Sequence, residues 1–230
     1  MLSHLLRGGD MTSFIISILL SLPIVLLSLS LHEASHGFMA WKLGDPTARA
    51  FGRLTLNPIK HLNPLGALCM VLTGFGWANP VPINSRYFKK PRRDIALTSL
   101  AGPISNLLLA IVFLLLYRFV GFELLWKHVY WAPTTTAFWR NVAYYLIIFL
   151  QLGISMNISL ALFNLFPVPP LDGSRILFSL LPPKVYFKIM PYERQITLVL
   201  MLVLLVTTYF GWFSALVNLI MQGLFALVGL

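Results

Sequence analysis

The stretch MTSFIISILLSLPIVLLSLSLHEASHG, residues 11–37, decides how the chain folds and where its chemistry lies. Residues Met11–Leu31 carry no charge and are long enough to cross the hydrocarbon core of a bilayer as one helix. His32, Glu33 and His36 follow directly at the end of this run. Ionisable side chains beside a membrane span are costly to bury, so we expect these three to have a functional partner.

The spacing of the two histidines indicates a metal site. On a helix, side chains four positions apart lie on one face, so His32 and His36 can share one ion. Glu33 lies on the adjoining flank, where a carboxylate can reach a water molecule at the metal without binding the metal itself. The alternative is that these side chains only end a helix at the interface, where polar groups find water. Zinc ligation would supply the partner that their burial requires.

The composition places the whole chain in a membrane. Of its 230 residues, 58% are hydrophobic and 10% are charged, whereas soluble domains have about 25% charged residues. The single cysteine, Cys69, excludes a disulfide framework and a cysteine-only metal site, so histidine and carboxylate must hold any metal. The net charge of +10 comes from basic residues concentrated in particular loops, which indicates membrane orientation. We therefore expect no nucleic-acid partner.

Apolar stretches predict an all-α polytopic membrane protein with about four to six transmembrane helices, forming one domain over residues 1–230. Four stretches are long enough to cross the membrane, namely Thr12–Leu31, Ile95–Tyr117, Val142–Phe163 and Ile196–Leu230. The last is too long for one untilted crossing, so we expect a break at Gly211–Trp212, and the tail crosses once or twice. The shorter, glycine-containing stretch Leu65–Ala78 predicts a re-entrant or β-like segment between the first two long helices.

The distribution of lysine and arginine predicts the orientation. Residues 37–94 hold nine of them and residues 164–195 hold four, whereas the opposite side of the membrane holds four in all. The positive-inside rule then places the two richer loops in the cytoplasm and the amino terminus outside. The turn from His32 to His36 lies toward the cytoplasmic end of the first helix.

The same topology narrows the search for a third metal ligand. Some polar residues fall on the wrong side of the membrane, and others are better explained as turn or helix-end residues: His4, Asp10, Glu123 and His128 in the first group, Asp45, Asp94 and Glu193 in the second. His61 and Cys69 remain possible, although neither belongs to a motif. Asp172 is favoured because the chain returns to the membrane face of the two histidines before it.

Asp172 ends the stretch NLFPVPPLD, residues 164–172, whose three prolines prevent a regular helix and are typical of irregular backbone lining a cavity. The alternative is an ordinary turn aspartate, because Asp-Gly is a common turn pair. Asn164, at the start of the same stretch, either caps a helix end or aims an amide donor at the reaction centre. Both alternatives stay open at this point.

The sequence resembles the site-2 protease family, the intramembrane zinc metalloproteases, in four motifs that follow one another along the chain. These are HEASHG at 32–37, GWANPVPIN at 76–84, AGPISN at 101–106 and NLFPVPPLDGSRIL at 164–177. The compact chain and the GDPTAR stretch at 44–49 are similar to the minimal prokaryotic branch, which carries no PDZ or CBS domain.

The resemblance implies one Zn²⁺ ion held by His32, His36 and Asp172, with Glu33 as the catalytic acid/base and Asn164 helping to hold the oxyanion. It implies hydrolysis of peptide bonds within or near transmembrane segments of membrane-protein substrates, as in regulated intramembrane proteolysis. The expected setting is a prokaryotic cell (inner) membrane, with the active site toward the cytoplasmic side. A transmembrane protein or peptide substrate and the lipid bilayer are the expected partners, and a homo-oligomer or a regulatory membrane partner is left open.

Two other functions are alternatives to a protease. A divalent-metal transporter could also use paired histidines and a glutamate, but it should repeat polar residues along several helices to form a path. The third and fourth apolar stretches carry no charge, which favours a single site. A catalytically silent membrane scaffold is disfavoured, because Glu33 and the full ligand set are intact.

Overall fold

The computed structural model describes residues 10–63, 65–66, 78–182, 184–185, 188, 190–209 and 211–230. Its α-helices are, in chain order, α1 (Met11–Lys42), α2 (Thr47–Ala50), α3 (Pro58–His61), α4 (Pro91–Leu116), α5 (Ala137–Leu165), α6 (Asp172–Leu180), α7 (Glu193–Tyr209) and α8 (Trp212–Leu227). Short 3₁₀ helices cover Ser85–Tyr87 and Met190–Tyr192, and a π-helix, Tyr117–Tyr130, continues α4.

Three of these helices are long and apolar enough to cross a membrane: α1, the continuous run Pro91–Tyr130, and α5. Their outward faces carry exposed apolar side chains, such as Leu19, Leu108 and Val112. Such faces suit contact with lipid, because the backbone hydrogen bonds of a helix are internal and no polar group has to face the hydrocarbon. The predicted all-α polytopic fold is confirmed, and crossings beyond these three stay a prediction.

The final apolar stretch is divided where a break was predicted. Gly211 has a φ of 81°, a left-handed conformation that costs glycine little, and α8 begins at the next residue. The two helices on either side, α7 with 17 residues and α8 with 16, are each short of a full perpendicular crossing. The break at Gly211–Trp212 is therefore confirmed.

The predicted re-entrant or β-like stretch Leu65–Ala78 lies largely outside the described residues. Leu62, which precedes this stretch, and Ala78, its last residue, form an isolated antiparallel bridge. The segment after it, residues 79–84, has no regular secondary structure and belongs to no strand in the described part of the chain. The re-entrant character of the segment therefore stays a prediction.

The apolar core joins α1, α4, α5 and α8. Ile24 of α1, Phe113 of α4, Ile154 of α5 and Val217 of α8 are all buried in one cluster. Gly153 lies directly under the Phe113 ring, where a methyl group would lie 2.6 Å from two ring carbons, so glycine permits α4 and α5 to pack closely. This packing fixes the three spanning helices against one another and so positions the side chains that they carry.

Two aspartates that sequence analysis set aside as structural have structural partners here. Asp45 is fully buried and accepts hydrogen bonds from the backbone N–H groups of Thr47 and Asn84. Asp94 was predicted to cap the helix that follows it, and this is wrong in position, because α4 begins three residues earlier at Pro91. The Asp94 carboxylate instead reaches back to the Lys90 N–H at 2.9 Å and pairs with Arg93.

Candidate metal centre

The two histidines lie in the carboxyl-terminal half of α1, on one face of the helix as their spacing predicts. Both are buried, at 5% exposure for His32 and 6% for His36, and their Nε2 atoms lie 3.0 Å apart. The helix runs on past them to Lys42, and Gly44, with a φ of 108°, lies two residues beyond its end. The pair is therefore held in the rigid part of a helix and is not a frayed end.

Asp172 meets the two histidines from a different part of the chain. Its Oδ2 atom lies 3.1 Å from His32 Nε2 and 3.2 Å from His36 Nε2. Within the described residues, these three form the one group of histidine, cysteine or acidic side chains that could hold a metal ion. The return of the proline-rich stretch to the histidines is thus observed.

Asp172 is the first residue of α6, and its neighbour Gly173 fixes where that helix begins. A Cβ on Gly173 would collide with the carbonyl oxygens of Leu165 and Phe166, at the end of α5. Because these are backbone atoms, no side-chain movement could make room. Glycine at this position lets α6 begin directly against α5 and so delivers Asp172 to the centre.

The electrostatic surroundings keep Asp172 ionised. Burial alone would raise the pKa of its carboxyl group, but the hydrogen bonds and charges of His32 and His36 outweigh burial and hold the pKa well below its ordinary value. Asp172 is therefore a carboxylate at neutral pH, which is the form that binds a metal ion.

The three donor atoms fit a zinc ion. They form a triangle with sides of 3.0, 3.1 and 3.2 Å. Around tetrahedral zinc, with bonds of about 2.0–2.1 Å, neighbouring ligand atoms lie about 3.3 Å apart. The triangle therefore needs to open by only a few tenths of an ångström. Two imidazoles and one carboxylate are also a donor set that leaves a fourth position open, as catalytic zinc sites do.

A backbone carbonyl of α4 orients His36. His36 Nδ1 lies 2.7 Å from the Thr98 carbonyl oxygen, which can only accept a hydrogen bond. Nδ1 therefore carries a proton, and Nε2, once it is deprotonated, can offer its lone pair to a metal ion held with His32 and Asp172. This arrangement is the usual outer support of a metal-binding histidine. His32 Nδ1 is buried and has no partner in the described residues.

Gly102 leaves the space that the two imidazoles occupy. A Cβ at this position of α4 would lie 2.6 Å from His32 Nε2 and would collide with His36 Nε2. Gly102 belongs to the AGPISN motif, and its lack of a side chain lets α4 pack closely against the metal ligands themselves. One turn of α4, from Thr98 to Gly102, thus supplies both the carbonyl group that orients His36 and the space that the two imidazoles occupy.

Glu33 is fixed by the segment that follows the undescribed stretch. Its Oε2 accepts a hydrogen bond from the Val81 backbone N–H at 2.8 Å, and no group in the described residues donates to Oε1. Gly37, one turn further along α1, allows this approach, since a Cβ there would lie 3.1 Å from Val81 Cγ1 and 2.8 Å from Leu54 Cδ2. One carboxylate oxygen is thus anchored and the other is available.

Asn164 lies in the last turn of α5, one residue before its end. Its Nδ2 donates to the Leu160 carbonyl oxygen at 2.9 Å, a bond within its own helix. A side-chain amide carries two N–H groups, so this bond leaves one donor unused. Two other residues were possible third ligands. His61 is buried, and its Nε2 lies within hydrogen-bond distance of the Thr55 carbonyl oxygen. Cys69 lies outside the described residues.

Two contributors to this centre were missed by sequence analysis, namely the Thr98 carbonyl and the Val81 amide. Both are backbone groups, so residue identity carries no signal for them. The glycines at positions 37 and 173 were quoted within motifs, but their role depends on how closely a second segment approaches. Only the packed structure gives that distance.

Comparison with known proteins agrees with this chemistry. The model of peptidase family M50 matches residues 19–208. YwhC of Bacillus subtilis, named as a candidate zinc metalloprotease, is 46% identical over 184 residues, which cover 80% of this chain and 78% of YwhC. Rip2 of Mycolicibacterium smegmatis and Rip2 of Mycobacterium tuberculosis, both named in the same way, are 32% and 35% identical. Each alignment covers 84% of this chain and 69% of the relative. No solved structure matches the chain significantly.

Proposed function

Since the chain belongs to peptidase family M50 and is an intramembrane zinc metalloprotease, we propose that His32, His36 and Asp172 hold its catalytic zinc ion. The observation that carries this proposal is the triangle of donor atoms with sides of 3.0 to 3.2 Å, assembled from α1 and α6. Burial of both histidines and the ionised state of Asp172 support it further.

We propose that Glu33 is the general acid/base of peptide hydrolysis. When bound, zinc lowers the pKa of a water molecule and polarises the scissile carbonyl group. Glu33 accepts the proton of the attacking water on its free Oε1 and donates it to the leaving amine. The hydrogen bond from Val81 N–H to Oε2 holds the carboxylate in one orientation during both transfers.

Asn164 is proposed to stabilise the oxyanion that forms when water attacks the carbonyl group. Its amide is a neutral donor, and the bond to the Leu160 carbonyl oxygen fixes the side chain while leaving its second N–H unused. Loss of a single such donor typically slows an enzyme by about 10²–10³-fold. We expect Asn164→Ala to bind zinc normally and to turn over slowly.

The substrate class follows from the position of the site in the bundle. The ligands lie on spanning helix α1 and on α6, which follows spanning helix α5, so the scissile bond must come from a segment within or near a membrane. Such a segment must unwind before hydrolysis, because the amides of a helix are internally bonded. We propose that the site lies toward the cytoplasmic side of a prokaryotic cell membrane, and the excess of basic residues at this end of the bundle supports the cytoplasmic orientation.

The test is cleavage of a single-span model substrate by the purified chain in detergent, with zinc content measured on each variant. We expect Glu33→Gln to retain zinc and to lose about 10²–10⁴-fold in activity, because the proton acceptor is gone. Asp172→Ala should lose both zinc and activity. Glu123→Gln is the matched control, since it removes a carboxylate that pairs with Lys127 at the other end of the bundle.

Two results would contradict these assignments. Cleavage by Glu33→Gln at the wild-type rate would remove Glu33 from the mechanism. Full zinc content in Asp172→Ala would remove Asp172 from the ligand set and return His61 and Cys69 to consideration. A wild-type chain that binds zinc and moves it across vesicle membranes without cutting any substrate would support the transporter alternative.

A further inference from the structure

A cavity of about 460 Å³ lies beside the metal centre, between the segment that ends at Ser85, the first turns of α4, and α6. Thr98 and Ser99 of α4 line it, and so do Arg92 of α4 and Arg175 of α6. None of the five proposed site residues lines this cavity. Its volume lies in the range of ordinary ligand pockets.

The charged groups at the cavity are both cations. Arg92 and Arg175 come from different helices and are exposed, and no carboxylate lines the cavity. The nearest acidic side chain along α4 is Asp94, which is already paired with Arg93 and with the Lys90 N–H. Two guanidinium groups without a carboxylate partner in the described residues leave this cavity complementary to an anion.

The other walls of the cavity combine apolar and hydroxyl side chains, namely Ile83, Ile95 and Phe178 with Ser85, Ser99 and Ser179. An occupant that fills the cavity therefore carries apolar groups beside its charge. Arg92 lies in the first turn of spanning helix α4, before the apolar stretch that begins at Ile95, so we expect it near the depth of lipid headgroups. Arg175 lies on α6, whose Leu177 and Leu180 are exposed. Basic pockets at such depths typically bind phospholipid headgroups.

We propose that this cavity binds the headgroup of an anionic phospholipid, with the phosphate between Arg92 and Arg175 and the glycerol region against the apolar walls. Guanidinium groups match phosphate oxygens in a two-point geometry. The proposal does not depend on peptide hydrolysis. It does place a lipid in contact with the residue whose carbonyl supports His36.

The test is native mass spectrometry of the purified full chain in detergent, titrated with dioleoylphosphatidylglycerol and, separately, with dioleoylphosphatidylcholine. We expect the anionic lipid to bind more tightly, and the double variant Arg92→Gln/Arg175→Gln to weaken that binding by at least about tenfold. The matched control is Arg86→Gln/Lys89→Gln, which removes two exposed positive charges from the preceding loop and lines no part of the cavity. The control should bind the lipid within about twofold of the wild type.

The single variants Arg92→Gln and Arg175→Gln each remove one guanidinium group from the cavity, and we expect each to weaken lipid binding by about threefold. These single variants decide the matter if circular dichroism shows that the double arginine variant is misfolded. Equal binding of the two lipids, or equal loss in the control variant, would overturn the proposal in favour of diffuse surface charge. Displacement of the lipid by equimolar inorganic phosphate, or tighter binding of an acidic peptide at the same arginines, would overturn the lipid as the occupant.

Discussion

The two ends of the helix bundle are packed against different kinds of neighbour. At the metal end, Cβ atoms on Gly102 and Gly173 would meet metal-ligand imidazoles and backbone carbonyl oxygens. At the opposite end, a Cβ on Gly121 would meet only the Leu150 and Tyr117 side chains, at 3.3 Å. Side-chain ends can shift by a few tenths of an ångström, whereas backbone atoms cannot and hydrogen-bonded imidazole rings shift less. Rigidity is therefore concentrated where the chemistry lies, and alanine substitution at each glycine measures it.

The largest effect is expected at Gly173. Gly173→Ala places a methyl group against the backbone of Leu165 and Phe166, so α6 must move and Asp172 with it. Misplacing a catalytic group by about 1 Å can cost about 10²-fold, and zinc should be lost as well. Zinc content and cleavage of the single-span substrate measure both losses. An active Gly173→Ala variant with full zinc content would contradict the rigid contact described here.

A smaller effect is expected at Gly102. The methyl group of Gly102→Ala would press on His32 and His36, which can tilt slightly, although the Thr98 carbonyl holds His36. Disturbing the support of metal ligands typically lowers metal affinity by about 10–100-fold. We expect the variant to lose zinc to a chelator at a concentration that leaves the wild type loaded. Unchanged zinc affinity would show that α4 does not confine the imidazoles.

Gly37 should separate catalysis from metal binding. A methyl group there would meet side chains of Leu54, Ala48 and Val81, at 2.8, 3.0 and 3.1 Å, and so disturb the segment that holds Glu33. Misplacement of a catalytic group by about 1 Å can cost about 10²-fold, and the shift here is smaller, so we expect Gly37→Ala to lose about tenfold in kcat. Zinc content should stay at the wild-type value. Loss of zinc in this variant would show that the positioning of Glu33 cannot be separated from metal binding.

The smallest effect is expected at the far end. Gly121→Ala should change cleavage less than about twofold, because the two neighbouring side chains can adjust and neither touches the metal centre. Gly223→Ala is the matched control for the whole series, since a Cβ at that position of α8 has no neighbour within 4 Å. If Gly121→Ala lowered cleavage as much as Gly102→Ala, the proposed difference in rigidity between the two ends of the bundle would be wrong.

Much of this arrangement follows from the sequence for physical reasons. Hydrophobic length specifies the spanning helices, and the left-handed conformation that glycine favours specifies the break at Gly211. The helical spacing of His32 and His36 specifies one face, and the prolines before Asp172 specify an irregular return. These features depend on local chemistry, which residue identity encodes.

The remaining features depend on contacts between distant segments. The Thr98 carbonyl and the Val81 amide act through backbone atoms, and every residue type offers the same groups. The predicted cap at Asp94 was wrong because a proline three residues earlier starts α4, and the aspartate then caps from within the first turn. Local patterns place a polar residue near a helix start more reliably than they place the start itself.

The turn of α4 from Thr98 to Gly102 limits which changes in chain length the protein can accept. One residue inserted between Asp94 and Thr98 would rotate everything after it by about 100° relative to the start of the helix. The carbonyl that holds His36 and the gap beside the imidazoles would then both point elsewhere. An insertion in the exposed connection at residues 131–136 would rotate nothing in the site. Relatives that differ in length should therefore differ there, and deletion or insertion within α4 should be rare among active forms.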